Sequence, residues 1–132
     1  MKKSLILTFL YFSVNFLIAQ EPNTEIDERV LIKEMSTDKN YGRKKKTNIK
    51  VGSVSNEYAF LFQLTGPNGE ELKLNRLGSC CDVKSPLAPF GKAPLDRWEI
   101  TYEGLDKPII LYLNGYDYEQ PKCPVGLNFK KL

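Results

Sequence analysis

Residues 97–113, Arg-Trp-Glu-Ile-Thr-Tyr-Glu-Gly-Leu-Asp-Lys-Pro-Ile-Ile-Leu-Tyr-Leu, carry the clearest structural signal in the chain. Apolar and polar side chains alternate over residues 98–102, as in a strand with one buried face. Residues 104–107 make a short connection, and an apolar run follows at 109–113. The stretch therefore predicts an antiparallel β-hairpin.

Residues 55–64 are rich in apolar side chains and favour a helix. Ser55 or Asn56 supplies a capping residue at its start, and Gly66 and Pro67 stop the run after its end. Every second side chain in the latter half of the run is apolar, which also fits a buried strand. Both interpretations remain open at this point.

Shorter patterns complete the outline of the fold. Residues 49–51, 72–74 and 127–129 predict three brief strands. Residues 82–95 contain three prolines and predict a long surface loop. We therefore expect a single-domain α+β fold, with a small antiparallel sheet of three to five strands and one or two short helices covering one face.

The N-terminus has the pattern of a secretory signal peptide. Lys2 and Lys3 precede an apolar run over residues 5–18, and the small residue Ala19 follows it. This run of 14 residues is shorter than the ~18 residues that span a bilayer as a helix. We expect residues 1–19 to be removed, the protein to be exported to the periplasm or the medium, and no stable membrane span to remain.

The rest of the chain divides by composition. Residues 20–48 are polar and charged and predict a loosely ordered N-terminal segment, whereas residues 49–132 predict the compact domain. Removing residues 1–19 takes away two of the 19 basic residues and leaves 16 acidic ones, so the mature protein is nearly neutral. That balance does not favour a nucleic-acid partner.

The composition also excludes several chemistries. The chain has no histidine, so it has neither imidazole-activated nucleophiles nor zinc sites with imidazole ligands. No pattern predicts a catalytic residue, a metal ligand or a cofactor site, and the chain favours a non-enzymatic role.

The three cysteines, Cys80, Cys81 and Cys123, are expected to lie in an oxidising compartment. Adjacent cysteines rarely bridge each other, so Cys123 is expected to pair with Cys81 or Cys80. Such a bridge closes a loop of about 42 residues and stabilises the fold by roughly 4 kcal/mol. The remaining thiol is either buried and inert or lost to a vicinal bridge. Alternatively, Cys80 and Cys81 serve thiol exchange or hold a soft metal.

A candidate interaction surface combines the stretch at residues 76–80 with the turn at residues 116–118. The turn after the hairpin interleaves aromatic and polar side chains, as the rims of protein-binding and sugar-binding sites do. The basic run at residues 43–46 is interpreted as a solvated loop. The candidate surface comprises Arg76, Ser79, Cys80, Tyr116, Asp117 and Tyr118.

Several short motifs resemble those of a family of small exported bacterial proteins with no established role. They include Arg-Leu-Gly-Ser-Cys-Cys at 76–81, Ile-Lys-Val-Gly at 49–52 and Pro-Val-Gly at 124–126. The resemblance covers residues 41–129, although this chain has Asn48 and Asp82 where those relatives tend to have proline.

Similar chains are sometimes labelled 2-dehydro-3-deoxyphosphooctonate aldolase. Enzymes with that activity resemble (β/α)₈ barrels of ~250 residues, which this chain is too short to form. We expect instead an exported module that binds a protein or a glycan of the cell envelope. The alternative is a thiol-redox or soft-metal-handling protein that acts through Cys80 and Cys81.

Overall fold

The computed structural model describes residues 25–132. Its strands are β1 Ile49–Lys50, β2 Leu64–Thr65, β3 Lys73–Lys84, β4 Lys92–Thr101, β5 Ile109–Asn114 and β6 Asn128–Phe129. The helix α1 spans Val54–Leu61, and 3-10 turns occupy Glu28–Val30, Lys45–Thr47 and Pro89–Gly91. The main sheet has the order β1-β5-β4-β3, and β2 pairs with β6 in a separate two-stranded sheet. The predicted small α+β domain is confirmed.

The predicted hairpin is present as β4 and β5. The two strands pair antiparallel, with Trp98 opposite Leu111 and Ile100 opposite Ile109. These four side chains are buried. The alternating pattern therefore identified both the strands and the face that they bury.

One part of the sheet is not antiparallel as predicted. β1 pairs parallel with β5, with Ile49 opposite Leu113, so the main sheet is mixed. The direction of a strand is not encoded in the alternation of its side chains. Because about sixty residues separate β1 from β5, the intervening chain can return in either direction.

The predicted long loop over residues 82–95 is wrong. β3 runs to Lys84 and β4 begins at Lys92, so the connection covers only residues 85–91. Pro94 lies within β4, opposite Asp82. β5 pairs with β4 only from Asp96 onward, so Pro94 has a neighbouring strand on one side alone, where a missing N–H is tolerated.

The predicted helix is confirmed, with an earlier start and end. Ser53 is its N-cap, and the Ser53 hydroxyl accepts a hydrogen bond from the Asn56 N–H at 3.2 Å. The apolar run over residues 55–64 continues beyond α1, and its last residue, Leu64, belongs to β2. The run thus contains both a helix and the start of a strand, the two structures that its sequence pattern allowed.

The core lies between α1 and the main sheet and includes residues from the N-terminal segment. Val30 is completely buried and Ile32 nearly so, in the same cluster as Phe60 of the helix. The side chain of Gln63 binds both: its Oε1 accepts from the Ile32 N–H at 2.8 Å, and its Nε2 donates to the Val30 carbonyl at 3.0 Å. Part of the predicted loose segment thus completes the core.

The predicted signal peptide, residues 1–19, lies outside the described residues. Among the residues that are described, none of the helices has the length and apolar composition needed to cross a membrane.

Candidate functional site

The cysteines are paired differently from the prediction. Cys80 and Cys81 form a vicinal disulfide, and Cys123 is a free, fully buried thiol. The expected bridge to Cys123 is therefore wrong. β3 is the edge strand of the sheet, whereas the Cys123 backbone pairs with residues 34–36.

The vicinal pair lies at an irregularity of β3. Cys80 is opposite Leu95 and Asp82 is opposite Pro94, so Cys81 has no partner in the ladder. Cys81 is a bulge residue, and its φ is positive, at 21°. Both cysteines are half-buried, so an exogenous thiol can approach them. Burial in the core raises the pKa of the Cys123 thiol to about 12, which removes it from thiol chemistry near neutral pH.

Arg76 and Ser79 belong to a cluster between β3, β4 and the helix. The Asp96 carboxylate accepts hydrogen bonds at 2.8 Å from both the Arg76 guanidinium and the Ser79 hydroxyl. Burial works against the charge of Asp96, but hydrogen bonds from Glu57, Ser79 and Arg76 outweigh it and lower the pKa of Asp96. This cluster ties the edge strand to its neighbour.

Glu57, on α1, completes this cluster from the helix side. The side chain is only 1% exposed, and one of its oxygens has no hydrogen-bond partner among residues 25–132. Burial, followed by the neighbouring Asp96, raises the pKa of Glu57 to about 9. The raised pKa favours the protonated form of Glu57 at neutral pH, beside the Asp96 carboxylate. Solvent hardly reaches either carboxyl group of this pair.

Tyr116, Asp117 and Tyr118 form a rigid turn at the carboxyl end of β5. The Asn114 Oδ1 accepts hydrogen bonds from the backbone N–H groups of Tyr116 and Asp117, at 2.9 and 3.0 Å. Asn114 Nδ2 and the Ser85 hydroxyl donate to the Asp117 carboxylate at 2.9 and 2.5 Å. The Tyr118 hydroxyl donates to the Arg29 carbonyl at 3.0 Å. The turn is held in one conformation by these bonds.

The six predicted surface residues thus fall into two groups. Arg76 and Ser79 bond to Asp96 beside the helix, and Cys80 follows them on the edge strand. The tyrosine-containing turn is linked instead to the connection after β3, through the bond from Ser85 to Asp117. No hydrogen bond joins the two groups within residues 25–132.

A groove beside this turn was not predicted from the sequence. It encloses about 560 Å³ and is shallow. We call it the lysine groove, because four lysines line it, three from residues 45–50 and one from the end of β3. Its lining is Lys45, Lys46, Asn48, Lys50, Val83, Lys84, Pro86, Leu87, Asp117 and Tyr118. The basic run at residues 43–46, with Lys50 close by in sequence, was the available signal, but nothing in the sequence indicated that Lys84 lies beside it.

The fold fixes two of these lysines through the loop that carries them. The Gly42 N–H donates to the Thr47 carbonyl at 2.6 Å, and the Gly42 carbonyl accepts from the Tyr112 N–H at 2.7 Å. Lys45 and Lys46 begin the 3-10 turn enclosed by these bonds. The loop is therefore attached to β5, and its lysines are presented at a defined place on the surface.

The charges of the lysine groove are mostly uncompensated. Lys45, Lys46 and Lys84 form no ion pair among the described residues. Lys50 approaches Glu119 only to 3.9 Å. The one carboxylate in the lining, Asp117, already accepts hydrogen bonds on both oxygens. The groove is therefore a site of net positive charge with donors available to an anion.

No three Cys, Asp or Glu side chains converge as a metal-binding cluster within residues 25–132. No protein-family model, curated protein or solved structure matches this chain.

Proposed function

We propose that this protein is an exported, non-enzymatic module that binds an anionic partner of the cell envelope through the lysine groove. Export is inferred from the N-terminal pattern of Lys2, Lys3 and the apolar run over residues 5–18. The observation that carries the binding site is the convergence of four lysines on one concave surface, against one carboxylate in its lining, Asp117, and Glu119 beside Lys50.

The physical case rests on charge and on preorganisation. An exposed lysine contributes only about 0.2–1 kcal/mol to a single ion pair, so one lysine alone would not indicate a site. Four lysines around one groove attract a polyanion together, and the attraction extends over a Debye length of about 8 Å at physiological salt. The loop and the turn that border the groove are both fixed by hydrogen bonds, so binding requires little ordering of the backbone.

The test is binding to a soluble polyanion. We expect the protein to bind heparin, which serves here as a polyanionic probe, with an affinity that falls steeply as salt is raised. The double substitution Lys46→Glu with Lys84→Glu reverses two charges in the groove and should abolish this binding.

Lys107 provides the matched control. It is exposed and lies in the connection between β4 and β5, at the opposite end of β4 from the groove. Lys107→Glu should leave heparin affinity within about two-fold of the parent. The comparison is made with Lys84→Glu alone, which changes the net charge by the same amount as Lys107→Glu. An equal loss from these two single variants would show that only net charge matters, and would reject the groove as the site.

A second candidate function rests on the vicinal disulfide of Cys80 and Cys81, which is half-buried on an edge strand. A thiolate of a reduced partner dithiol would attack one sulfur, break the S–S bond and release the other sulfur as a thiolate. The second thiol of the partner would then resolve the mixed disulfide. The partner becomes a disulfide, and Cys80 and Cys81 take up its two electrons and two protons.

The rate at which the oxidised protein converts a reduced dithiol peptide to its disulfide tests this candidate. Replacing both Cys80 and Cys81 with serine should abolish the conversion, whereas Cys123→Ala should not change it, because that thiol is buried and its pKa is raised. If the double serine variant oxidises the peptide as fast as the parent, thiol exchange is excluded.

A further inference from the structure

The connection between β3 and β4, residues 85–91, presents two large apolar side chains to solvent. We call it the apolar loop. Leu87 is 69% exposed, and Phe90 is fully exposed. Single exposed apolar residues are common on protein surfaces, so exposure alone would carry little weight. The backbone of the loop and the charges around it provide the further observations.

The backbone holds the apolar loop in a defined shape. The Ser85 N–H donates to the Gly91 carbonyl at 2.9 Å, and the Gly91 N–H donates to the Ala88 carbonyl at 3.1 Å. Phe90 has a φ of 63°, in the left-handed region that bulky residues rarely adopt. The fold accepts this strained conformation and leaves the ring without cover among the described residues, so the loop presents Phe90 outward.

Positive charge lies beside Leu87 and at the base of the apolar loop. Leu87 itself lines the lysine groove, together with Lys45 and Lys46. At the base of the loop, Lys84 is directly opposite Lys92 in the ladder. Two like charges in opposite positions destabilise a sheet, and a bound anion would relieve their repulsion. The acidic residues nearby are Asp82 in β3, Asp117, which is fully hydrogen-bonded, and Glu119 beside Lys50.

We propose that the lysine groove and the apolar loop together dock on an anionic lipid bilayer. Leu87 and Phe90 enter the boundary between headgroups and acyl chains, while the surrounding lysines bind lipid phosphates. This inference rests on the proposed function and names the ligand of the same site. A polyanionic glycan would occupy the lysines equally well, but it would leave Leu87 and Phe90 in water. A bilayer removes both from water, and burial of apolar side chains adds to the affinity.

Co-sedimentation with vesicles tests the proposal. We expect the mature protein to bind vesicles of equal parts phosphatidylcholine and phosphatidylglycerol, and not vesicles of phosphatidylcholine alone. The double substitution Leu87→Ser with Phe90→Ser should weaken partitioning about ten-fold or more, because both apolar side chains are lost. Phe62→Ser is the matched control, since Phe62 is 64% exposed but lies next to α1, outside the groove and the loop. It should leave partitioning unchanged.

A fluorescence measurement reports insertion directly. Trp98 is buried, so the emission of a Phe90→Trp variant changes on binding mainly through the new side chain. We expect a blue shift with the anionic vesicles and none with heparin, because heparin offers no apolar environment.

The outcomes separate this inference from the proposed function. Heparin binding that depends on Lys46 and Lys84, without binding to anionic vesicles, would reject the bilayer as the ligand. The proposal of an anion-binding module would still hold. Vesicle binding that is insensitive to the Leu87 and Phe90 substitutions would reject the insertion of these two side chains into the bilayer. Absence of binding to both probes would overturn the inference and the proposed function together.

Discussion

Glu57 shows how far burial changes the chemistry of a single side chain. In the sequence it is an ordinary acidic residue in the first turn of a helix, where the helix dipole stabilises a carboxylate. In the fold it is 1% exposed and faces Asp96, and burial raises its pKa to about 9. Keeping it protonated is less costly than burying a second negative charge beside Asp96.

This arrangement predicts a pH-dependent stability. Glu57 has an ordinary pKa of 4.5 and a folded pKa of about 9, so between these values the unfolded chain releases a proton that the folded protein retains. The free energy of unfolding therefore falls as pH rises, by up to about 1.4 kcal/mol per pH unit from this group. Glu57→Gln should remove that slope, because the amide has no proton to release in this range.

Urea unfolding at pH 5, 7 and 9, chosen to span about the range between the two pKa values, measures the difference. We expect the free energy of unfolding of Glu57→Gln, relative to that of the parent, to increase with pH. Asp96 contributes in a separate, acidic range, because its pKa is lowered below 3.8. Glu103→Gln, in an exposed turn, serves as the control. Parallel pH profiles for the parent and Glu57→Gln would contradict the prediction.

Among the elements, the loop that carries Lys45 and Lys46 depends most on one residue. Gly42 has a φ of 77°, and a Cβ built on it would lie 2.6 Å from Ile49 Cδ1 in the core. Glycine is required there both for its backbone conformation and for the close approach of the loop to the core. Gly78 in β3 has a φ of 100° but nothing within 4 Å of a built Cβ, so it shares only the first requirement.

Comparing alanine at these two positions separates the two costs. Gly78→Ala should lower the free energy of unfolding by about 1 kcal/mol, from backbone strain alone. Gly42→Ala should cost at least about 1 kcal/mol more, because Ile49 must also move. Because Gly42 attaches the lysine loop to β5, its replacement should also weaken heparin binding, whereas Gly78→Ala should not. Equal unfolding costs in urea titrations would show that the contact with Ile49 is relaxed easily.

For the whole molecule, the N-terminal segment closes the core that the sheet and α1 leave open. Val30 and Ile32 are buried against them, and Gln63 of the chain after α1 binds the backbone on both sides of Leu31. Cys123 pairs with the same segment through the Glu34 carbonyl and the Ser36 N–H. Contacts between residues far apart in the sequence therefore determine the stability of this domain.

Substitutions within that segment test this view. Val30→Ala removes fully buried atoms and should lower the free energy of unfolding by about 2 kcal/mol. Ile26→Ala is the matched control, because Ile26 lies in the same segment but is 40% exposed, and it should change stability by less than about 0.5 kcal/mol. Thermal or urea unfolding gives both values. Similar small effects from the two variants would mean that the segment contributes little to the core.

Local patterns were sufficient for some elements and insufficient for others. The hairpin of β4 and β5 was predictable because its alternation, its turn and its length all agree. The presence of the helix was predictable from its apolar run, but its bounds were not. Ser53 caps it rather than Ser55 or Asn56, and it ends at Leu61, before β2. The loop predicted over residues 82–95 was wrong because prolines disfavour strands in general, whereas Pro94 lies at the one part of β4 with a single neighbouring strand.

The sequence by itself determined the fold class, the hairpin and the absence of imidazole chemistry, because each follows from residue types and short-range spacing. The tertiary structure alone decided the direction of β1, the burial of Cys123 beside residues 34–36 and the lysine groove. Each of these depends on segments that lie far apart along the chain and meet only when the core forms. The groove illustrates the reason most directly: Lys46 precedes β1 whereas Lys84 ends β3, and only the folded chain places their charges together.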